Sequence, residues 1–473
     1  MRSARALVVA LSALSTLSAS CARPRAPEPT RTSWSYDVVA GPGGRELTVE
    51  ARLSRGSPQE LSVDSLAEAF VRDVEVEQDG AFVKVPMQGN SWFVPACTRF
   101  GCRVRYRFLL AEAARSIDDL DRAVAYDDAY LAPPSTWLLY PQSKTPLSGA
   151  WSLRVRGTDD AAFVTGLFRD GRGGYAADVS DLPDSPYSAF GKLRVRKLSA
   201  PGGEVDVAFG PGDLGLPEAD VLAWVDTSVQ AVASYYERFP VPRALVMVMP
   251  QRGRGVFGKT LGNGGASIII TYGRDTTKED LAEDWIMPHE LIHLAFPSLA
   301  RQHSWLEEGL STYVEPLVRV RRKMIAPEDV WRDLAFGLPQ GQPEAGDQGL
   351  DRTPTWGRTY WGGALFCLTA DVEIRRATQN RRSLGDALRE IVRRGGNVAV
   401  RRPIEDTLRI GDDATGTTVL TELYRQWANT PVRVDLPHLW RELGISIRGG
   451  AVRLSDDAPL AFVRRGIEGD GER

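Results

Sequence analysis

Histidine is scarce in this sequence, four residues among 473, so any two at a defined spacing stand out. Charge of one sign is lacking as well. Fifty-eight basic residues face 61 acidic ones and no long single-sign run occurs, which excludes a nucleic-acid footprint or a polybasic membrane contact. No internal repeat is present, and no low-complexity stretch beyond residues 21–33. What remains, an apolar fraction of 43% and twelve tryptophans, belongs to a folded protein long enough for two or three domains. Small or peptidic partners are left open.

The N-terminal "MRSARALVVALSALSTLSAS" sets Arg2 and Arg5 before an apolar run from Ala6 to Leu17 and then small residues, the layout of an export signal over 1–20. The run is too short for a spanning helix. Cys21, directly after Ser18-Ala19-Ser20, resembles the lipobox cysteine of bacterial lipoproteins, although Leu17 lies four places before it instead of three. That resemblance implies lipidation of Cys21, with plain secretion as the alternative. Residues 21–33, rich in Pro, Arg and Thr, read as a flexible tether. The expected location is the bacterial cell envelope, lipid-anchored or periplasmic, or the exterior, with membrane contact only through the anchor. In such an oxidising compartment Cys97 and Cys102, around a "TRFG" turn, are placed to close a small disulfide loop. Cys367, within "GGALFCLTADV", reads as a packing residue.

From Trp34 to Asp213, stretches such as "RELTVEARL", "RVRYRFLL", "WSLRVRG", "KLRVRKL" and "GEVDVAFG" alternate apolar with polar residues between turn residues, the pattern of antiparallel strands. Near Leu216 the period becomes helical, and "ALVMVMP" and "GASIIITY" then read as strands. Farther on, "YWGGALFCLTADVEIRRAT", "SLGDALREIVRRG", "TVLTELYRQWAN" and "LPHLWRELG" read as helices, with Ser383 and Asp386 as a capping pair. The expectation is a multidomain α+β protein. It comprises an N-terminal antiparallel β domain (34–213), a mixed α/β catalytic domain (214–350), a helical region completing the site (351–447) and a tail with a terminal hairpin (448–473).

The chemistry concentrates in "HELIH" (289–293). Residues i and i+4 share a helix face, so His289 and His293 can aim ring nitrogens at one point roughly 2 Å from each, as zinc requires. Glu290 projects beside them as a general base for water activated by the metal. Pro288 is compatible with this turn if the helix starts there, or if an upstream "KEDLAEDWIM" helix kinks. Fourteen residues past His293, "SWLEEGLSTYVEP" offers Glu307 and Glu308 on a second helix.

An HExxH motif followed by a Trp-Leu-x-Glu-Gly helix resembles the gluzincin metallopeptidases, which include thermolysin, the aminopeptidase N family and the glycyl aminopeptidases. The resemblance spans about Leu216 to Ile447 and implies a thermolysin-like catalytic domain holding one Zn2+. Glu308, before Gly309, takes the third-ligand place, and Glu315 a supporting position behind a ligand histidine. "GRTYWGGALFCLTADVEIRRAT" matches the family's tyrosine helix, which makes Tyr360 the hydrogen-bond donor to the oxyanion. Arg358 is a weaker candidate for the same oxygen. A PDZ domain, common in the glycyl type, is not expected here. His303 reads as a substrate-side or solvated residue, and His438 as structural.

The aminopeptidase N type carries a Gly-x-Met-Glu-Asn edge strand whose glutamate binds the substrate amine. The matching segment here is "LGNGGASIIITYG", where Gly264, Gly265 and Ala266 are expected to pair with the peptide backbone but Ser267 stands in the glutamate's place. Peptide-bond hydrolysis, aminopeptidase-like, on a peptide or protein substrate follows. An endopeptidase, or a catalytically silent scaffolding lipoprotein with a peptidase fold, is the alternative.

Overall fold

Alternating strands in the first part of the chain and near-continuous apolar strands in the second build two different sheets. The computed structural model describes residues 32–157 and 160–469. The export signal, Cys21 and the tether up to residue 31 lie outside the described residues. Thr32 and Ser33 already belong to the first strand, Thr32–Ala40, in which inward residues alternate with outward ones.

That strand enters a seven-stranded sheet with two four-stranded sheets nearby. The pairings are antiparallel except for one, Thr32–Ala40 beside Gly149–Arg156, which runs parallel. Trp34, Tyr36, Val38, Trp137, Trp151 and their neighbours fill the core beneath it. Cys97 and Cys102 are joined as a disulfide where a short helix, Ala96–Phe100, feeds the strand Cys102–Phe108. Cys367 is free and buried, the packing role expected of it.

The second sheet has five strands in the order β1-β2-β3-β5-β4: β1 (Arg194–Ala200), β2 (Gly203–Phe209), β3 (Arg243–Gln251), β5 (Ser267–Gly273) and β4 (Val256–Leu261). β1 and β2, grouped by pattern with the β-rich domain, thus hydrogen-bond into the second sheet. β3 lies parallel to both β2 and β5, and both β3 and β5 are buried on the two faces, which is why their sequences read as unbroken apolar runs. β4 returns antiparallel along β5 and forms the edge.

Helix α1 (Glu218–Tyr235) packs on this sheet, and α2 (Ile286–His293), α3 (Ser304–Arg321) and α4 (Gly363–Thr378) pack in turn on one another. The capping box at Ser383 and the hairpin Ile445–Arg448 with Ala451–Leu454 are present as read from sequence. Helices Pro327–Gly337, Ile404–Thr415 and Ala461–Glu468 are additional. Arg243 binds the two regions together: its guanidinium donates to Asp206 in the second sheet and to the carbonyls of Thr165 and Leu167.

Candidate active site

Upstream, Lys278–Glu283 forms its own short helix, and α2 begins anew at Ile286. Pro288 therefore sits in the first turn, where no intrahelical donor is required. Asp284 caps this start, its carboxylate accepting from the Ile286 and Met287 N–H groups at 3.1 and 3.0 Å. Met287, Leu291 and Ile292 anchor α2 in the core, which fixes the face carrying His289 and His293.

The two imidazoles stand one turn apart with ring centroids at 5.0 Å. Both Nε2 atoms point at the same oxygen, Oε2 of Glu308, each from 3.4 Å. That is long for a direct hydrogen bond. A zinc ion bound tetrahedrally with arms of about 2.0–2.2 Å separates its donors by roughly 3.3–3.5 Å, which is the spacing found. Among the described residues this is the one cluster of three such side chains. Burial depresses the His293 imidazolium, but Glu308, then Glu290 and Glu307, outweigh it and lift the group to about 9. Burial raises Glu308, and the imidazoles, His293 first, bring it below the usual carboxylate range. The pocket favours positive charge at this point, so donor types, spacing and field all fit a dication.

Glu307, on the same turn, faces elsewhere. Its Oε1 accepts the Leu299 N–H at 2.9 Å, and burial pushes its carboxyl up to about 7. Glu315 departs from the expected supporting role. Seven residues is nearly two turns, about 10 Å along α3, and its carboxylate takes Arg319 at 3.0 Å, which in turn donates to the Glu283 carbonyl. The Nδ1 of His289 is buried with no partner among the described residues.

Glu290 is held by a contact that the sequence did not disclose. The Thr260 hydroxyl on β4 donates to its Oε2 at 2.7 Å and approaches its carbonyl at 3.0 Å. Two residues earlier, a Cβ at Gly258 would drive into the Glu290 side chain, so the glycine is what lets the edge strand lie against α2.

Tyr360 occupies a π-helical turn, Arg358–Gly362, at the start of α4, a distortion common at functional sites. Its ring stacks 6.4 Å from that of His289, and burial, followed by the charges of Glu308 and Glu290, pushes its phenol up to about 12. It stays protonated, a hydrogen-bond donor, through the neutral range. Arg358 does not join it: buried, it pairs with Asp347 at 2.8 Å and donates to the Gly341 carbonyl, which anchors the π turn from behind.

α3 and α4 cross at Gly309 and Gly363. A Cβ on either would overlap the other's backbone. This contact of two backbones brings Glu308 and Tyr360, each next to its glycine or three residues away, to the same pocket. Gly309→Ala is expected to destabilise the fold by about 1–3 kcal/mol through overpacking, read as a lower thermal midpoint that zinc only partly restores.

The other two histidines carry no chemistry. His303 is buried, its Nδ1 2.9 Å from Asp351, a carboxylate that Trp305 and Tyr424 also engage; it locks the start of α3 and is neither solvated nor substrate-facing. His438 lies in a surface helix that Asp435 caps, the Asp435 carboxylate accepting from the His438 backbone N–H at 2.9 Å.

Gly264, Gly265 and Ala266 are not available to a peptide either. Ala266 N–H donates to the Gly166 carbonyl, Phe168 N–H to that of Gly264, and Gly264 N–H to that of Ala399. Their backbone is spent on pairing inside the protein, and Ser267 is buried with its hydroxyl accepting from Tyr187 N–H. The strand that borders the cleft is β4. With α2, α3 and residues 398–401 it encloses about 620 Å³, in which Glu290, Glu308, His289, His293 and Tyr360 all open.

The fold of the chain resembles that of solved zinc metallopeptidases. Its structural neighbours are aminopeptidase N family and M1 zinc metallopeptidases, as the motifs led one to expect. An aminopeptidase N family protein from Idiomarina loihiensis superposes with a TM-score of 0.66 over 88% of this chain and 79% of the other, at 15% identity. A mutant M1 zinc metallopeptidase from Deinococcus radiodurans, bound to a Tyr-Ser-Ala substrate, superposes with a TM-score of 0.52 over 86% of this chain and 95% of the other, at 14% identity. No protein-family model and no curated protein match the sequence.

Proposed function

We propose that this chain is a zinc-dependent peptidase, aminopeptidase-like, in which one Zn2+ is held by His289, His293 and Glu308. The observation that carries this reading is the convergence of two imidazole Nε2 atoms on one carboxylate oxygen, each at 3.4 Å, with Glu290 opening into the same cleft. Bound zinc supplies a Lewis acid that polarises a carbonyl and makes water acidic enough to deprotonate near neutral pH.

The protein's own groups do the rest. Thr260 occupies one oxygen of Glu290 and fixes its rotamer, which leaves Oε1 to take a proton from the attacking water and to return it to the leaving amine. Tyr360, protonated, donates to the oxygen on which negative charge develops. β4 presents an unpaired edge beside Glu290, along which an extended peptide can add as a further strand.

The Cys97–Cys102 disulfide supports an oxidising compartment. Together with the export signal over 1–20 and the lipobox-like Cys21, it underlies our proposal that the enzyme works in the cell envelope.

The test is zinc stoichiometry with hydrolysis of amino-acyl arylamides and quenched peptides by the chain from Ala22 onward. Tyr360→Phe is expected to lower kcat by roughly 100- to 1,000-fold with KM little changed, as loss of an oxyanion donor does. Wild type that binds zinc and cleaves nothing would leave a scaffolding protein with a peptidase fold.

A further inference from the structure

The cleft has two unlike ends. Because Gly258 faces Ile286 and Glu290 while Thr260 faces Glu290, β4 and α2 run side by side from a shared start to a shared finish. At the finish the backbone closes the cleft. Val398 N–H donates to the Leu294 carbonyl at 3.2 Å, Asn263 N–H to Val398 at 2.9 Å, and Ser298 N–H to Val400 at 2.9 Å. An Arg401–Asp184 ion pair lies over this wall, and Ser298, Arg301 and Glu307 are the polar groups beside it.

The starting end is open and aromatic. Phe257 on β4 and Trp285 just ahead of α2 both line the cleft, yet stand 54% and 52% exposed. Trp285 meets the His289 ring edge-on at 5.6 Å; His289 stacks on Tyr360, and Tyr360 lies 5.8 Å from Trp356, which is 62% exposed. A row of four rings therefore runs through the metal site and ends in solvent on both sides. Large apolar groups left in water beside a catalytic cleft mark a binding surface, and aromatic faces give such a surface most of its grip.

We propose that Phe257 and Trp285 form the specificity subsite of the peptidase, receiving a bulky aromatic or branched aliphatic side chain of the substrate residue on the open side of the bond cut. The assignment rests on the peptidase reading above. Contact of Trp285 with the His289 ring commits it to a substrate side chain, and the opposite end carries the charges of Arg401, Asp184 and Arg301.

The experiment uses the zinc-loaded chain from Ala22 onward and peptides varied one position at a time on either side of the bond cut, with products identified by mass. At one position, Phe or Leu is expected to exceed Gly in kcat/KM by about 10- to 100-fold, the range an apolar pocket can discriminate. Phe257→Ser, which leaves the His289 contact untouched, is expected to shrink that ratio by roughly tenfold, chiefly through KM. Trp285→Ala should do the same and Trp285→Phe should restore most of it, a rescue that mere disturbance of α2 would not give. An enzyme that hydrolyses peptides with a flat profile, or with preference for charged residues at both positions, overturns this subsite and leaves the peptidase reading standing. Zinc binding without any hydrolysis overturns both.

Discussion

Glu290→Gln is expected to keep its metal and lose hydrolysis by about 1,000-fold in kcat/KM, in the range assigned to a positioned general base. The substitution is nearly isosteric. The glutamine carbonyl can still accept the Thr260 hydroxyl, so the side chain keeps its place against Gly258 and nothing in the His289–His293–Glu308 cluster is disturbed. What disappears is the ability to take up a proton. Parallel measurement of metal content and steady-state kinetics separates the two effects, and a loss of less than tenfold with full zinc occupancy would remove Glu290 from the role of base.

Glu308→Ala should act on the other half of the machinery. Two imidazoles remain, but the anion that balances a dication and completes the triangle is gone. Loss of a partner outside the ligand shell already weakens metal affinity 10- to 100-fold, so removing a ligand is expected to weaken it by more than ~100-fold, and activity at micromolar zinc should vanish. Binding to the native state raises its stability with the logarithm of one plus the ratio of free ligand to its dissociation constant. The wild-type thermal midpoint should therefore climb on zinc addition while that of the variant stays put; equal shifts for both would mean that Glu308 does not touch the ion. Glu307→Ala is the natural control, because that carboxylate is turned to the Leu299 N–H.

The parts of this site that were legible in sequence are those set by helical geometry over a few residues. His289 and His293 must share a face, and Glu308 follows once its helix and the adjacent glycine are recognised. Parts that depend on partners distant in the chain were hidden. "VFGKTL" is short and carries a glycine, so nothing local announces an edge strand, and neither Gly258 nor Thr260 stood out until α2 lay against them. The same blindness misplaced Gly264, Gly265 and Ala266, whose backbone groups are claimed by residues 166–168 and 399. Glu315 was expected behind a histidine on resemblance alone, whereas Arg319, one turn on along the same helix, takes its carboxylate. Strands β1 and β2 were correct as strands and wrong as neighbours, since alternation reports a half-buried strand without saying which sheet it joins.

The glycine-to-glycine crossing of α3 and α4 has a consequence for how such a protein can change. With no side chains between the two axes, the Glu308 carboxylate and the Tyr360 phenol ride on a single stiff joint, and neither can be shifted by repacking without unseating the other. Drift toward new substrates must then be written in the rim and the border strand, whose residues face solvent and answer to no such constraint. The hydrolytic engine would be inherited whole, or lost whole.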